Sequence, residues 1–334
     1  MSVFIDAKIV ATDVSYDSIE KQPIEMRGSL EYVMSRTDLC EFVRCPERYV
    51  NGYEGLGSDA IEHGSLIDVR AISPSKFETE YVIIPPTYPA PANHAKVKAG
   101  EIMEGDPLPW TGAANYCKDW LKKHEHKKTV KHADWEQANV AVANLKAKPF
   151  IRELLESSQT QVNIVATYVD PETELHVPFR GLIDLVPPIA LCPALVDLKT
   201  CRNAQMRAWA KQVFDKNYHT QAALYLDLWN AATGETRERF VHIVQENYPP
   251  FHVEKPRELS NEYLECGRQS YLTALAFYCT CVKKQEWPGY WCRTEIDGFQ
   301  MVEPEPWMIT SDYTTLMRNI EMSDPREDPN WMKE

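Results

Sequence analysis

The chain has 334 residues, 44% hydrophobic and 10% aromatic, enough to bury one large core, and its 49 acidic against 36 basic residues leave a net charge of -13. That balance excludes a uniformly basic nucleic-acid coat, although a local basic channel is compatible with it. No apolar run approaches the roughly 18 residues of a spanning helix, and the opening MSVFIDAKIVATDVSYDSIEK lacks a basic-then-apolar secretion signal, so a cytoplasmic protein with no membrane association is expected. Nine cysteines, scattered through helix-like and strand-like text, do not read as a secreted disulfide framework.

Residues 1–30 mix strand-like pieces with acids and carry no motif, which suggests an N-terminal extension serving as a contact arm. In VMSRTDLCEFVRCPERYVNGY, Ser35 is placed to cap a helix bearing Leu39, Phe42 and Val43, and Pro46 opens the next turn. A second helix starts at Ser58 or Asp59, buries Ile61, Leu66, Ile67 and Val69, and stops before Pro74. Residues 85–112 concentrate Pro and Gly and read as a long irregular connection of the kind that covers a site. Helices follow from Ala113 to Ala147, with Trp120 and Trp135 read as core. Lys122, Lys123, Lys127, Lys128 and Lys131 there make either a phosphate-contacting patch or a plain solvated face.

After a short helix in KPFIRELLESS, the strand QVNIVATYVD turns at Pro171 and Glu172 into a second strand. Alternation along that strand puts Val177, Phe179, Gly181, Ile183 and Leu185 on one face, and Arg180, Leu182, Asp184 and Val186 on the other. Pro187, Pro188 and Pro193 mark a connection, and the chain resumes as Leu195 to Lys199, where Asp197 and Lys199 share a face. Two carboxylates and an ammonium among Leu, Ile and Val cost several kcal/mol per uncompensated charge, so they need mutual pairing or a bound cation. Mg²⁺ takes carboxylate oxygens plus waters and leaves room for phosphates, which suits phosphodiester chemistry; a structural ion pair is the plainer alternative. In HTQAALYLDLWNAATG, Ala222, Ala223, Leu226 and Trp229 form a buried helical stripe, and Gln221 and Tyr225, four apart, share a face. Two further strands and a long amphipathic helix through Tyr263, Leu264, Leu272, Leu275 and Phe277 precede WPGYW.

Gly-x-x-Asp, Asp-x-Lys and Gln-x-x-x-Tyr, in this order, resemble the PD-(D/E)XK nucleases of the RecB branch. The segments YHTQAALY and WPGY look like the RecE-type and lambda-type exonucleases of phages. The resemblance runs from about Ser35 to Tyr290 and implies an α/β fold: a central mixed sheet of about five strands flanked by helices, with helical N-terminal decoration. It implies a nuclease domain over 31–292 between the 1–30 extension and a 293–334 tail or oligomer contact. Carried onto these positions, it makes Asp184 and Asp197 ligands of Mg²⁺, with Mn²⁺ as a substitute, helped by the Leu198 carbonyl. Lys199 then holds the attacking water, and Gln221 and Tyr225 orient Lys199 or the DNA backbone. Where the family has a metal-binding His four residues after a Gly, Gly64 is followed here by Asp68, an acid equally able to bind Mg²⁺, and the usual acid in the preceding strand is missing. The resemblance further implies double-stranded DNA ends as substrate, 5′ to 3′ degradation, a homo-oligomeric ring, a single-strand annealing protein as partner and a role in recombination. Other outcomes of the same fold are a binder that does not cut and a structure-specific endonuclease. Some relatives carry an iron–sulfur cluster, but the spacing of Cys45, Cys279, Cys281 and Cys292 argues against one here.

Overall fold

The computed structural model describes residues 3–13, 22–52, 59–290, 295–296 and 299–300, with only the backbone described for 59–63 and 295–300. The segment expected to be an extension supplies an edge strand, β1 (Phe4–Ala11), which pairs antiparallel with a later strand and buries Phe4 in the core. Short β2 (Met34–Ser35) runs into α1 (Arg36–Arg44). The Ser35 hydroxyl accepts from the Asp38 N–H while the Asp38 carboxylate accepts from the Ser35 N–H, closing a capping box. Pro46 opens α2 (Pro46–Val50), and α3 (Asp59–Ile72) stops ahead of α4 (Pro74–Glu80), which also begins on proline.

The Pro-rich stretch is more ordered than its composition suggests. After β3 (Tyr81–Ile83), strand β4 (Thr87–Pro89), the one-turn α5 (Ala95–Lys98) and β5 (Pro107–Pro109) fold with α6 (Asn115–Lys123) around a small core of Tyr88, Ala90, Leu108 and Cys117. Strand β6 (Lys128–Val130) then pairs in parallel with β3, so Lys128 sits on a strand and not on the helix expected there. α7 (His132–Lys146) and α8 (Pro149–Ser157) lead into the main sheet.

That sheet has seven strands, two more than expected: β7 (Gln159–Val169), β8 (His176–Val186), β9 (Ala194–Cys201), β10 (Arg239–Glu246) and β11 (Arg257–Glu258) join β1 and β2. β7 occupies one edge of β8 along its length. The opposite edge is shared: β9 pairs with it only at Leu185↔Val196, while β2 pairs in parallel at Met34↔Phe179 and Ser35↔Arg180. The backbone of β8 from Gly181 to Asp184 therefore lacks a ladder partner on that side, and a notch opens in the sheet.

Helices cover both faces. α9 (Met206–Asp215), α10 (Tyr218–Thr233) and α11 (Asn261–Lys284) pack with α1 over one core, while α3, α4, α7 and α8 enclose a second against β9 and β10. α10 is buried on nearly all sides over its first three turns, as a helix between a sheet and another helix must be, and Gly234 at φ 73° ends it in the left-handed conformation. The Pro187–Pro193 connection is pinned by buried Arg237, whose Nη1 donates to the carbonyls of Pro187 (3.0 Å) and Ala194 (3.2 Å). Tyr290–Glu334 form a second unit, described only by a hairpin of β12 (Glu295–Ile296) and β13 (Phe299–Gln300); the expected 293–334 tail otherwise lies outside the described residues.

α11 crosses the start of α10 at Gly267, where an added Cβ would lie 2.1 Å from the backbone oxygen of His219. Backbone cannot yield as a side-chain tip can, so Gly267→Ala is expected to destabilise the fold by about 1–3 kcal/mol or more. Urea unfolding measures it; a midpoint equal to wild type contradicts so tight a crossing.

Candidate active site

The notch gathers the acidic residues. Extending the Leu185↔Val196 register by one residue puts Asp184 opposite Asp197, close enough for the charge of one carboxyl group to bear on the other. Asp184 takes the place of the missing ladder: its Oδ2 accepts from the Leu198 N–H at 3.2 Å, and its Oδ1 accepts from Gln161 Nε2 at 3.3 Å. Gln161 can reach because β7 kinks there, at φ 46°. Leu198, expected to offer its carbonyl to a metal, thus contributes its N–H to Asp184. Asp197, 1% exposed, holds Lys199 Nζ at 2.6 Å through Oδ2 and accepts from Gln221 Nε2 at 2.9 Å through Oδ1. Gln221 therefore reaches Asp197, the carboxylate that also holds Lys199.

Asp68 comes from α3, which approaches β9 so closely that a Cβ on Gly64 would meet Thr200 Oγ1 at 2.8 Å. Its Oδ1 is buried without a hydrogen-bond partner. Tyr225 lies one helical turn beyond Gln221 on α10, against Gly181. A Cβ there would sit 2.8 Å from Leu228 Cδ1 and 3.4 Å from Tyr225 Cε1, so the glycine of Gly-x-x-Asp lets α10 lie flat on β8.

Burial and the facing Asp197 push the Asp184 carboxyl well above the usual carboxylate range. Burial, reinforced by Asp197 and only partly offset by Lys199, pushes Asp68 up to about 7. Burial alone would lower the Lys199 ammonium, but Asp197 and Asp184 more than reverse this, so Lys199 is firmly charged. The Tyr225 hydroxyl is pushed up to about 12, chiefly by burial, and is present as the phenol.

In front of these groups lies a cavity of about 460 Å³ whose wall includes Asp68, Asp184, Gln221 and Tyr225 together with Arg36, Lys128 and Arg180. Ser73 Oγ and Asn163 Oδ1, two other groups on its wall, are buried without partners. Of the five lysines singled out in sequence, Lys128 is the one that lines the cavity, its Nζ lying 5.5 Å from the Tyr81 ring centroid, while Lys131 stands exposed at the start of α7. Lys127 donates to the Glu78 carbonyl at 2.6 Å, and Lys122 and Lys123 stand exposed on the last turn of α6. Sequence reasoning passed over Arg36, next to the Ser35 cap, and Arg180, although Arg180 shares the Asp184 face of β8 and was legible on that ground.

Among the described residues no three His, Cys, Asp or Glu side chains form a ready-made metal cage. The donor set nevertheless fits a hard divalent ion: two adjoining carboxylates resist joint ionisation without added positive charge, and Mg²⁺ commonly takes one or two carboxylates and completes its shell with water and phosphate oxygens. Cys45, Cys279 and Cys281 are buried free thiols, and Cys292 lies outside the described residues. No described helix is long and apolar enough to cross a membrane.

Residues 35–296 match a family described as a PDDEXK-like domain of unknown function. Comparison with curated proteins finds no match. Among solved structures, a candidate exonuclease of Eubacterium rectale aligns over 88% of this chain and 98% of its own, at 16% identity and a TM-score of 0.46. Rai1 of Scheffersomyces stipitis, crystallised with 3′-NADP⁺ and calcium, aligns over 84% of this chain and 76% of its own, at 10% identity and a TM-score of 0.26. Neither likeness is close enough to carry an argument about activity.

Asp68 binds its proton more tightly folded, at about 7, than unfolded, at roughly 3.9. Its contribution to stability is therefore whole below about pH 4 and is lost as the pH rises through about 7. The melting temperature of the metal-free protein should fall from about pH 4 to about pH 7 and level off above that, and Asp68→Asn should flatten that fall. An equally steep profile in the variant would sink the assignment.

Proposed function

The chain belongs to the PDDEXK-like domain family, and from that membership and the chemistry of the notch we propose that it is a metal-dependent nuclease that hydrolyses DNA phosphodiester bonds. One observation carries the reading: Asp184, Asp197 and Lys199 converge at a break in the sheet, and Asp184 opens onto a cavity that Asp68 also lines, with basic groups on its wall. A purely structural ion pair needs one acid and one base; a second carboxylate facing the first adds repulsion that packing does not require.

Mg²⁺, or Mn²⁺ in its place, would be held by Asp184 and Asp197 with Asp68 beside them, and when bound supplies charge neutralisation, polarisation of the phosphate and a more acidic water. The chain's own groups do the rest. Gln221 fixes the plane of the Asp197 carboxylate, and the Leu198 N–H with Gln161 fixes that of Asp184. Lys199 is a compact cation 2.6 Å from Asp197, suited to hold the attacking water and to offset charge on the transition state. Arg180 and Lys128 stand where phosphates of the bound strand would lie, and Arg36, held by the carbonyls of Lys216 and Asn217, adds positive charge beside them. Lys122, Lys123 and Lys127 extend positive charge outward, a route for duplex DNA beyond the cavity.

The finer reading follows the resemblance of the motifs to RecE-type and lambda-type exonucleases: attack on linear double-stranded DNA from an end, 5′ to 3′, as a ring of identical subunits beside a single-strand annealing protein in recombination.

Asp184→Asn and Lys199→Met, with circular dichroism to confirm folding, should each lower DNA hydrolysis by roughly 10²–10³-fold. Wild-type rates in either would refute the site. Linear and covalently closed DNA offered with Mg²⁺ separate the alternatives. An exonuclease degrades only the linear form, a structure-specific endonuclease opens circles, and a protein that binds without cutting spares both.

A further inference from the structure

Behind Asp197, on the side away from the cavity, lies a group that the proposed chemistry leaves unused. His242 of β10 stands beside Asp197 in the parallel β9–β10 register and is fully buried. Its ring is walled by Trp209, Tyr218 and Phe240, at centroid separations of 5.4, 5.8 and 5.3 Å. Neither ring nitrogen makes a hydrogen bond, and Nε2 stops 3.9 Å from Asp197 Oδ2. An aromatic wall of this kind would take Phe or Leu without leaving a polar atom unpaired, and buried polar groups are otherwise nearly always bonded. An imidazole kept there unpaired, aimed at a carboxylate oxygen, calls for an explanation other than packing.

The oxygen it faces is the one that Lys199 now occupies, at 2.6 Å. Lys199 Nζ also lies 5.2 Å from the centre of the Tyr218 ring, the same ring that flanks His242, so the two donors stand on neighbouring sides of one oxygen. We propose that His242 is a positioning residue for Asp197: when Lys199 turns from Oδ2 towards water and phosphate, the Nε2–H of His242 closes on Oδ2 and keeps the carboxylate in place. Closing from 3.9 Å to an ordinary hydrogen bond takes about 1 Å, within reach of small side-chain rotations. Gln221 holds Oδ1 throughout. Oδ2 is paired in charge with Lys199 but lacks a hydrogen bond, so the closing imidazole N–H supplies the donor this buried oxygen needs once Lys199 leaves. The inference rests on the nuclease reading, because it is the cation bound at Asp197, and then the substrate, that draw Lys199 away.

The test compares the full-length protein with His242→Phe and His242→Gln by three measurements: thermal stability, binding of Mn²⁺ followed by the electron paramagnetic resonance of the free ion, and steady-state hydrolysis of linear DNA. His242→Phe should melt no lower than wild type, because it removes unpaired nitrogens from an aromatic wall. It should nevertheless bind Mn²⁺ about 10–100-fold more weakly and lose kcat by a similar factor with KM for DNA unchanged, the usual range for a group that supports a metal-binding carboxylate. His242→Gln, which keeps a donor, should recover most of both. Wild-type Mn²⁺ affinity and kcat in His242→Phe would overturn the proposal. So would equal loss in both variants with a lowered melting temperature, which is what a structural role gives. Should wild type bind Mn²⁺ but leave DNA uncut, the nuclease reading fails while the Mn²⁺ comparison still decides the part played by His242. Failure of wild type to bind Mn²⁺ overturns both.

Discussion

Two carboxyl groups facing each other across a gap in a sheet are the constraint from which the rest of this protein follows. Asp184 and Asp197 are neighbours because β8 and β9 meet at one residue pair and then part. Their mutual repulsion is moderated by a single ammonium, Lys199, drawn from the same strand as Asp197. At an effective dielectric of about 20, like charges 4 Å apart repel by roughly 4 kcal/mol, a large share of the stability of a typical domain. A chain that keeps such an arrangement, and adds Asp68 to it, has invested in binding positive charge.

The surroundings are arranged to keep that acidic group rigid and accessible. β2 takes the stretch of β8 that β9 leaves, so the notch is bounded on both sides by strands, and the capped start of α1 faces into it. Arg237 closes the far end of the β8–β9 connection from within the core. Gly181, Gly64 and Gly267 each allow a helix to approach where a methyl group would collide, which brings α10 onto β8, α3 onto β9 and α11 onto α10. Each carboxylate is also held by a neutral donor, Gln161 or the Leu198 N–H for Asp184 and Gln221 for Asp197, so the geometry does not depend on Lys199 alone.

The elements with strong local signals were legible from residue order. Ser35 announced a capped helix, alternation from Val177 to Leu185 announced a half-buried strand, and the spacing of Gln221 and Tyr225 put both on one side of α10. The first strand and the Pro-rich hairpin were missed for a common reason. β1 leaves Ile5, Ile9 and Val10 exposed on a sheet edge, so its apolar residues do not mark an inner face, and β4 and β5 are three-residue strands that end on or begin with proline, which usually interrupts a strand. Lys122 and Lys123 were conspicuous by number, whereas Arg36 and Arg180, single residues in unremarkable text, are the cations that join Lys128 on the cavity wall.

What the amino-acid order determined by itself was the inventory: which side chains alternate on a strand, which recur on a helix, and that Asp184, Asp197 and Lys199 are too polar for the apolar strands that carry them. Periodicity expresses that much because it depends only on neighbours along one element. Only the tertiary structure decided that β8 and β9 would diverge after one pair, that β2 would fill in beside them, and that His242, from a strand more than forty residues further on, would stand behind Asp197. Those relations arise from pairing between distant segments, for which the local pattern of residues carries no register.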